Sequence, residues 1–151
     1  MKPGFLRLFF AVSACSWVPH WACHYYRLET QSSFVVGSWS FSAGESVVSL
    51  ITYSVLICLN LAAIQFNRWR LTAAGVSGIG HLILGTLHVY RVIQPFHFEV
   101  FGHFWTLGAS VREALIVLPF GVASIVVAFL IARSKEPAED SLNSDLTGRH
   151  R

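Results

Sequence analysis

Two apolar stretches, residues 46 to 66 and 71 to 93, are separated only by a link centred on Arg68-Trp69-Arg70. A helix needs about 20 mostly apolar residues to cross the hydrocarbon core of a bilayer, so two such runs joined this closely predict an antiparallel helical hairpin around a tight turn. Two more runs of the same character cover 5 to 26 and 111 to 132. The expectation is therefore an all-α membrane protein, a four-transmembrane-helix bundle in one domain over 1–133. Residues 134–151 form a polar tail expected to be cytoplasmic and disordered. With 54% hydrophobic and only 13% charged residues, the chain lies outside the range of a soluble domain. The net charge of +3 comes from single basic residues between apolar runs. That pattern offers no stripe for a phosphate backbone and argues against nucleic acid as a partner.

Orientation follows the Lys/Arg bias of short loops and helix flanks. Lys2, Arg7, Arg68, Arg70, Arg133 and Lys135 fall on one side, and Arg27, Arg91 and Arg112 on the other. Both termini are thus expected to be cytoplasmic in a multi-pass protein of the cell (inner or plasma) membrane, with the long loops 28–45 and 94–110 outside. Trp17, Trp21, Tyr25, Tyr26, Trp39, Tyr90 and Trp105 gather at the outer boundary, where amphipathic rings settle at headgroup depth. Cys15, Cys23 and Cys58 lie inside apolar runs, which argues for free thiols rather than a disulfide framework. Val12-Ser13-Ala14-Cys15 also has the form of a lipoprotein cleavage site, but the apolar character continues past it to Tyr26 and suits a full span better.

Part of the sequence occurs twice. "HYYR" at 24–27 is matched by "HVYR" at 88–91, each closing an outward-going helix, and "FVVGSW" at 34–39 by "FEVFGHFW" at 98–105. Two related hairpins follow, with an axis along the membrane normal. Beyond the loops two registers remain open: "SAGE" 42–45 with "SVRE" 110–113, or "GESV" 44–47 with "GASV" 108–111. Only the first makes Glu45 and Glu113 correspond. In the second outer loop His97 and Glu99 share one face of an extended segment while Phe96, Phe98 and Val100 take the other, and the two loops are expected to form a small β hairpin or sheet over the bundle. His97 and His103 would then hang over His24 and His88.

The polar residues concentrate on the outer side. His20, Cys23, His24 and Arg27 share a helical stripe, as do Ser77, His81, Gly85 and His88, with Trp17, Trp21 and Tyr25 expected to face lipid. His81 falls near the midplane, where an ionisable group demands a partner or a function; Asn60 and the Cys15 carbonyl freed by Pro19 are its candidate partners. Neutral imidazole is the commonest nitrogen ligand for zinc, copper and haem iron. His20, His81 and His88 are the candidate cofactor-binding residues, and His20, His24, His88, His97 and His103 the candidate metal ligands, for haem b, Cu or Zn. No tight signature such as H-E-x-x-H or C-x-x-C-H accompanies them. Against this stands a structural polar network: Glu45 and Glu113 as capping-box residues for the second and fourth helices, with Arg27 and Arg91 pairing to them.

Three functions remain open: binding of a metal or haem for redox or metal handling; a non-catalytic accessory subunit meeting other membrane subunits or a second copy of itself; and an enzyme acting on a lipid or quinone at the outer interface. The enzyme is least favoured, since no nucleophile motif is present.

Overall fold

The computed structural model describes residues 1–101 and 103–134. The expected tail from 135 onward, and Lys135 with it, lies outside the described residues. Four helices, α1 (Pro3–Thr30), α2 (Ala43–Gln65), α3 (Arg70–Ile93) and α4 (Leu107–Arg133), carry most of the chain. The link between α2 and α3 is a single 3-10 turn, Asn67–Trp69, so the tight hairpin read from the sequence is present. Among the described residues three helical segments are long and apolar enough to cross a membrane: Ala43–Gln65, Asn67–Ile93 and Leu107–Arg133. The fourth expected span does not qualify. Its helix α1 has 28 residues, which is length enough at about 1.5 Å per residue, but Arg7, Pro19, His20, His24 and Arg27 dilute its apolar character.

Between the helices of each hairpin the chain folds into short strands: β1 (Phe34–Val36) with β2 (Trp39–Ser40), and β3 (Phe98–Val100) with β4 (His103–Phe104). They form one antiparallel sheet in the order β2-β1-β3-β4, the small sheet anticipated from the loops. The central register opposes Val35 to Glu99, Phe34 to Val100 and Val36 to Phe98. Exchanging the two strands about the Val35/Glu99 pair therefore carries Phe34 onto Phe98 and Val36 onto Val100.

The same correspondence, 64 positions as from 35 to 99, runs through both hairpins. The Gly37 amide donates to the His97 carbonyl at 2.6 Å and the Phe101 amide to the Ser33 carbonyl at 3.0 Å. Gly37 and Phe101 both take positive φ, 63° and 59°. Phe41 N donates to Phe34 O at 2.9 Å and Trp105 N to Phe98 O at 2.8 Å. On the helices, Ser13 and Ser77, and Asn60 and Ser124, are each fully buried. Trp17 and His81 face one another with ring centres 4.0 Å apart.

This register decides how α2 and α4 begin. Ser42 caps α2 in a complete capping box with Glu45. Its counterpart is Thr106, whose hydroxyl accepts from the Ala109 amide at 3.1 Å, so α4 starts at Leu107 and not near Val111. Glu113 is consequently no cap: it sits in the second turn of α4, and the register that aligned it with Glu45 is displaced by the alignment of 44–47 with 108–111. Thr106→Ala is expected to cost about 1 kcal/mol in thermal unfolding followed by circular dichroism, and Glu113→Ala to leave the midpoint unmoved. A destabilisation by Glu113→Ala as large as that by Thr106→Ala would restore the cap.

Packing differs between the ends of the molecule. At the end carrying the 3-10 turn, Leu6, Phe10, Ala63, Ala73, Ala74, Val127, Ala128 and Ile131 form a dense apolar core from all four helices. Midway, Asn60 Nδ2 donates to Ser77 Oγ at 2.7 Å and to Leu56 O at 2.8 Å, and the indole of Trp17 donates to the same hydroxyl at 3.4 Å. This knot ties α1, α2 and α3 together. Trp17, expected to meet lipid, is 1% exposed, because it lies at the contact between the hairpins. Toward the sheet the helices part.

Candidate functional site

A cavity of about 520 Å³ lies between the dense core and the sheet, within the usual range for small-molecule sites. Strand alternation makes its roof. Phe34, Val36, Phe98 and Val100 all line it, whereas the intervening Val35 and Glu99 do not. The walls follow from helical spacing: His20, Cys23 and His24 on α1, Ser49 and Tyr53 on α2, His81, Leu84 and His88 on α3, and Glu113, Val117 and Phe120 on α4 all reach it. Residues three and four apart share a helix face: of the stripe expected on α1 His20, Cys23 and His24 line the cavity and Arg27 does not, and of that on α3 His81 and His88 do while Ser77 and Gly85 pack against neighbouring helices.

The four histidines here have different roles. His81 is fastened at both ring nitrogens. Nδ1 stands 2.6 Å from the Ser77 carbonyl, which can only accept, so Nδ1 carries the proton; Nε2 stands 2.9 Å from the Ser16 oxygen, whose single hydrogen serves either Nε2 or the Ser13 carbonyl at 2.7 Å. These partners replace the expected Asn60 and Cys15 carbonyl, because Asn60 is engaged by Ser77. His24 meets Ser46 Oγ at 3.3 Å through Nδ1, leaving its other nitrogen toward the cavity. His20 and His88 make no hydrogen bond to any other described residue. Tyr53 stacks against His20 and His24, with ring centres 5.6 and 5.8 Å away.

The candidate metal ligands are not gathered in one place. His20, His24 and His88 line the cavity, while His97 and His103 do not; the strands bring Phe34 over His24 at 5.2 Å and Phe98 over His88 at 6.1 Å instead. Among the described residues no group of three or more His, Cys, Asp or Glu side chains is arranged to hold one metal ion. His97 Nε2 pairs with Glu99 Oε2 at 3.2 Å, as their shared strand face predicted, and Ser33 Oγ donates to the other carboxylate oxygen.

The Ser33 hydroxyl, and then the His97 ring, hold the Glu99 carboxyl below its ordinary value. A depressed carboxyl contributes stability above its unfolded-state value and loses it as pH falls through the folded-state value. Glu99→Gln is thus expected to lower the thermal midpoint at neutral pH and to match the parent once the parent's carboxyl is protonated. A difference that persists unchanged at low pH would remove Glu99 as the cause.

The arginines do not pair with the glutamates, as had been expected. Arg27 donates to the Ser42 carbonyl at 3.2 Å, to Ser46 Oγ at 2.8 Å and to the Phe41 carbonyl. Arg91 repeats this with the Thr106 carbonyl at 3.1 Å, Ser110 Oγ at 2.6 Å and the Trp105 carbonyl, and adds the Phe96 carbonyl at 3.2 Å. Sequence separations to the three shared acceptors are the same in both sets: 15, 19 and 14. A planar guanidinium fork reaches several acceptors together: here the carbonyl of the capping residue, which also accepts the first helical amide, the carbonyl before it, and a serine hydroxyl one turn into the helix. Each arginine therefore closes its hairpin through backbone and serine. Glu45 is held by Ser42 and by the Trp39 indole at 3.0 Å, and Glu113 is free of hydrogen bonds to other described residues and faces the cavity.

Tyr53, Ser49 and the roof phenylalanines are site residues that the sequence did not single out. Tyr53 carries one available signal, a phenol in the middle of an otherwise apolar run. No protein family, curated protein or solved structure matches this chain.

Proposed function

We propose that this is a membrane-embedded binding protein built from two copies of one helical hairpin. All four helices span the bilayer with both termini cytoplasmic, and the cavity lies at the outer side of the cell membrane under the sheet. The observation that carries the reading is the cavity itself. It is roofed by the apolar face of a sheet to which both hairpins contribute, and it is walled by polar groups that the protein leaves without partners: His20, His88, Tyr53 and Glu113. His88 is buried and the other three are half-buried, so a molecule entering the cavity meets four polar side chains that no other described residue holds by a hydrogen bond. Internal duplication is supported by the constant spacing of the arginine clamps, the helix caps and the strand register. The dispersed donors favour an organic occupant over a bare zinc or copper ion. Haem b is the second reading, favoured by His24 and His88, which stand at matching places on α1 and α3 and supply the two axial nitrogens that a b-type haem takes.

The deciding experiment purifies the full chain without a polyhistidine tag in mild detergent. It measures Fe, Cu and Zn per chain by elemental mass spectrometry and extracts the bound small molecules. An organic molecule near one per chain, with metal well below that, is the expected result. Near-stoichiometric iron with a Soret band assigns the cavity to haem, and stoichiometric zinc or copper overturns the organic occupant. An empty cavity that also binds nothing offered to it would leave the accessory-subunit role, with the sheet as the surface for a partner.

A further inference from the structure

The two hairpins share a backbone plan but not a cavity lining. Position by position, His20 on α1 stands where α3 has Leu84, Cys23 where it has Leu87, and Tyr53 on α2 where α4 has Val117; all six line the cavity. At these three places the first hairpin presents hydrogen-bonding groups and the second hydrocarbon, while His24 and His88 match and His81 and Glu113 make the second hairpin polar elsewhere. Glu113 of α4, at the place that Ser49 holds on α2, adds a further polar group to the lining. Rings are already stacked along the wall of the first hairpin: Tyr53 lies against Trp17, His20 and His24 at 5.6 to 5.8 Å. A flat aromatic head can extend such a stack.

The cavity also has a side mouth. Val12 on α1 and Ile116 on α4 line it and are 47% and 67% exposed on the outside of the molecule. Below them Phe9 of α1 stacks on Phe120 of α4 at 5.8 Å and closes the crevice. Both rims are apolar, which suits access from lipid rather than from water. Among the described residues no lysine or arginine lines the cavity, since Arg27 and Arg91 are spent on backbone carbonyls, so an anionic head would meet no cationic partner there.

Resting on the binding role proposed above, we propose that the occupant is a lipid-soluble molecule of the quinol or quinone type. Its flat ring, bearing hydroxyl or carbonyl groups, packs along Tyr53 with its oxygens toward His20 and Glu113. Its hydrocarbon tail leaves between Val12 and Ile116. The volume accommodates the ring and the first part of a chain, and the remainder of the tail lies in the bilayer.

Thermal-shift titration of the detergent-solubilised full chain tests this with four probes: decylubiquinol, decylubiquinone, undecylbenzene as a tail without polar groups, and dodecyl phosphate as a tail with an anionic head. Decylubiquinol or decylubiquinone is expected to raise the midpoint at concentrations at least tenfold below the other two, and which of them is tighter identifies a hydroxyl or a carbonyl head. His20→Leu, which installs the residue α3 carries at that place, and Tyr53→Phe are each expected to weaken binding at least tenfold while leaving the ligand-free midpoint in place; either variant suffices if the other fails to fold. Val12→Trp combined with Ile116→Trp is expected to abolish the shift by closing the mouth. If undecylbenzene or dodecyl phosphate binds as tightly as the quinol and the His20 and Tyr53 variants change nothing, the head assignment is overturned while the cavity stands as a binding site. If none of the four probes shifts the midpoint, the quinol class is overturned, and the extraction experiment then decides separately whether the cavity binds at all.

Discussion

Arg91→Ala is expected to destabilise the protein by about 3 kcal/mol, as the removal of one donor group strips the buried Ser110 hydroxyl and the half-buried Phe96 and Trp105 carbonyls of a partner. The Thr106 carbonyl keeps the Ser110 amide. Arg91 is 2% exposed. Its fork satisfies the carbonyls of Phe96, Trp105 and Thr106 together with Ser110 Oγ, and Phe96, Phe98 and Phe104 surround the guanidinium at 5.4 to 5.9 Å. Lysine restores little, because an ammonium is a single point and cannot bridge acceptors that a planar fork reaches together. Arg27→Ala removes the equivalent clamp with a smaller effect. Arg27 is only half-buried, and its Nε has no partner where that of Arg91 reaches the Phe96 carbonyl. Unfolding in detergent, followed by circular dichroism, gives both values. A loss from Arg91→Ala no greater than from Arg27→Ala would show that the carbonyls find other donors, and that the clamp is not what closes the second hairpin.

Gly121→Val is expected to cost about 3 kcal/mol, the upper part of the range for overpacking a close contact. A Cβ at Gly121 would lie 3.0 Å from the Leu82 amide nitrogen, and one at Gly85 would lie 2.5 Å from Leu118 Cγ and 3.2 Å from the Leu118 nitrogen. The two glycines thus interlock α3 and α4 reciprocally, each receiving a leucine from the other helix, as small residues do where helix backbones approach closely. Backbone atoms cannot swing aside, so the helices must separate. Gly75→Ala is the control: nothing lies within 4 Å of a Cβ there, and the better helix former is expected to be neutral or to stabilise by up to ~1 kcal/mol. Equal midpoints for Gly121→Val and Gly75→Ala would deny the close approach. In the first hairpin the positions equivalent to Gly85 and Gly121 are Trp21 and Ile57, so α1 and α2 have no such interlock. Trp21 instead turns its indole to Ser54 at 3.0 Å.

The hairpin turn at 67–69, the helix starts at Ser42 and the alternation that builds the roof were legible because each depends on residues close in the chain. Apolar run length sets a helix, a Ser-x-x-Glu sets a cap, and period-two alternation sets the faces of a strand. The matching segments of the two hairpins were legible too, but the register that relates them was not. "SVRE" imitates a capping box as well as "SAGE" does, and only the pairing of β1 with β3 places Thr106 opposite Ser42 and frees Glu113 for the cavity. The histidines show the same limit. Spacing put His20 and His24 on one face and His81 and His88 on another, yet His81 is consumed by Ser16 and Ser77 whereas His20 is left open, a distinction made by residues 65 positions away from His81 in one case and four in the other.

Local sequence therefore determined the four helices and the cap of α2, since those follow from backbone geometry and the solvation of single side chains, but not the cap of α4 or the burial of Trp17. The tertiary structure decided which polar groups are satisfied and which remain available, because a hydrogen bond or a buried charge is settled only when another segment arrives beside it. That is why two hairpins of the same plan enclose a cavity whose available polar groups differ from one hairpin to the other.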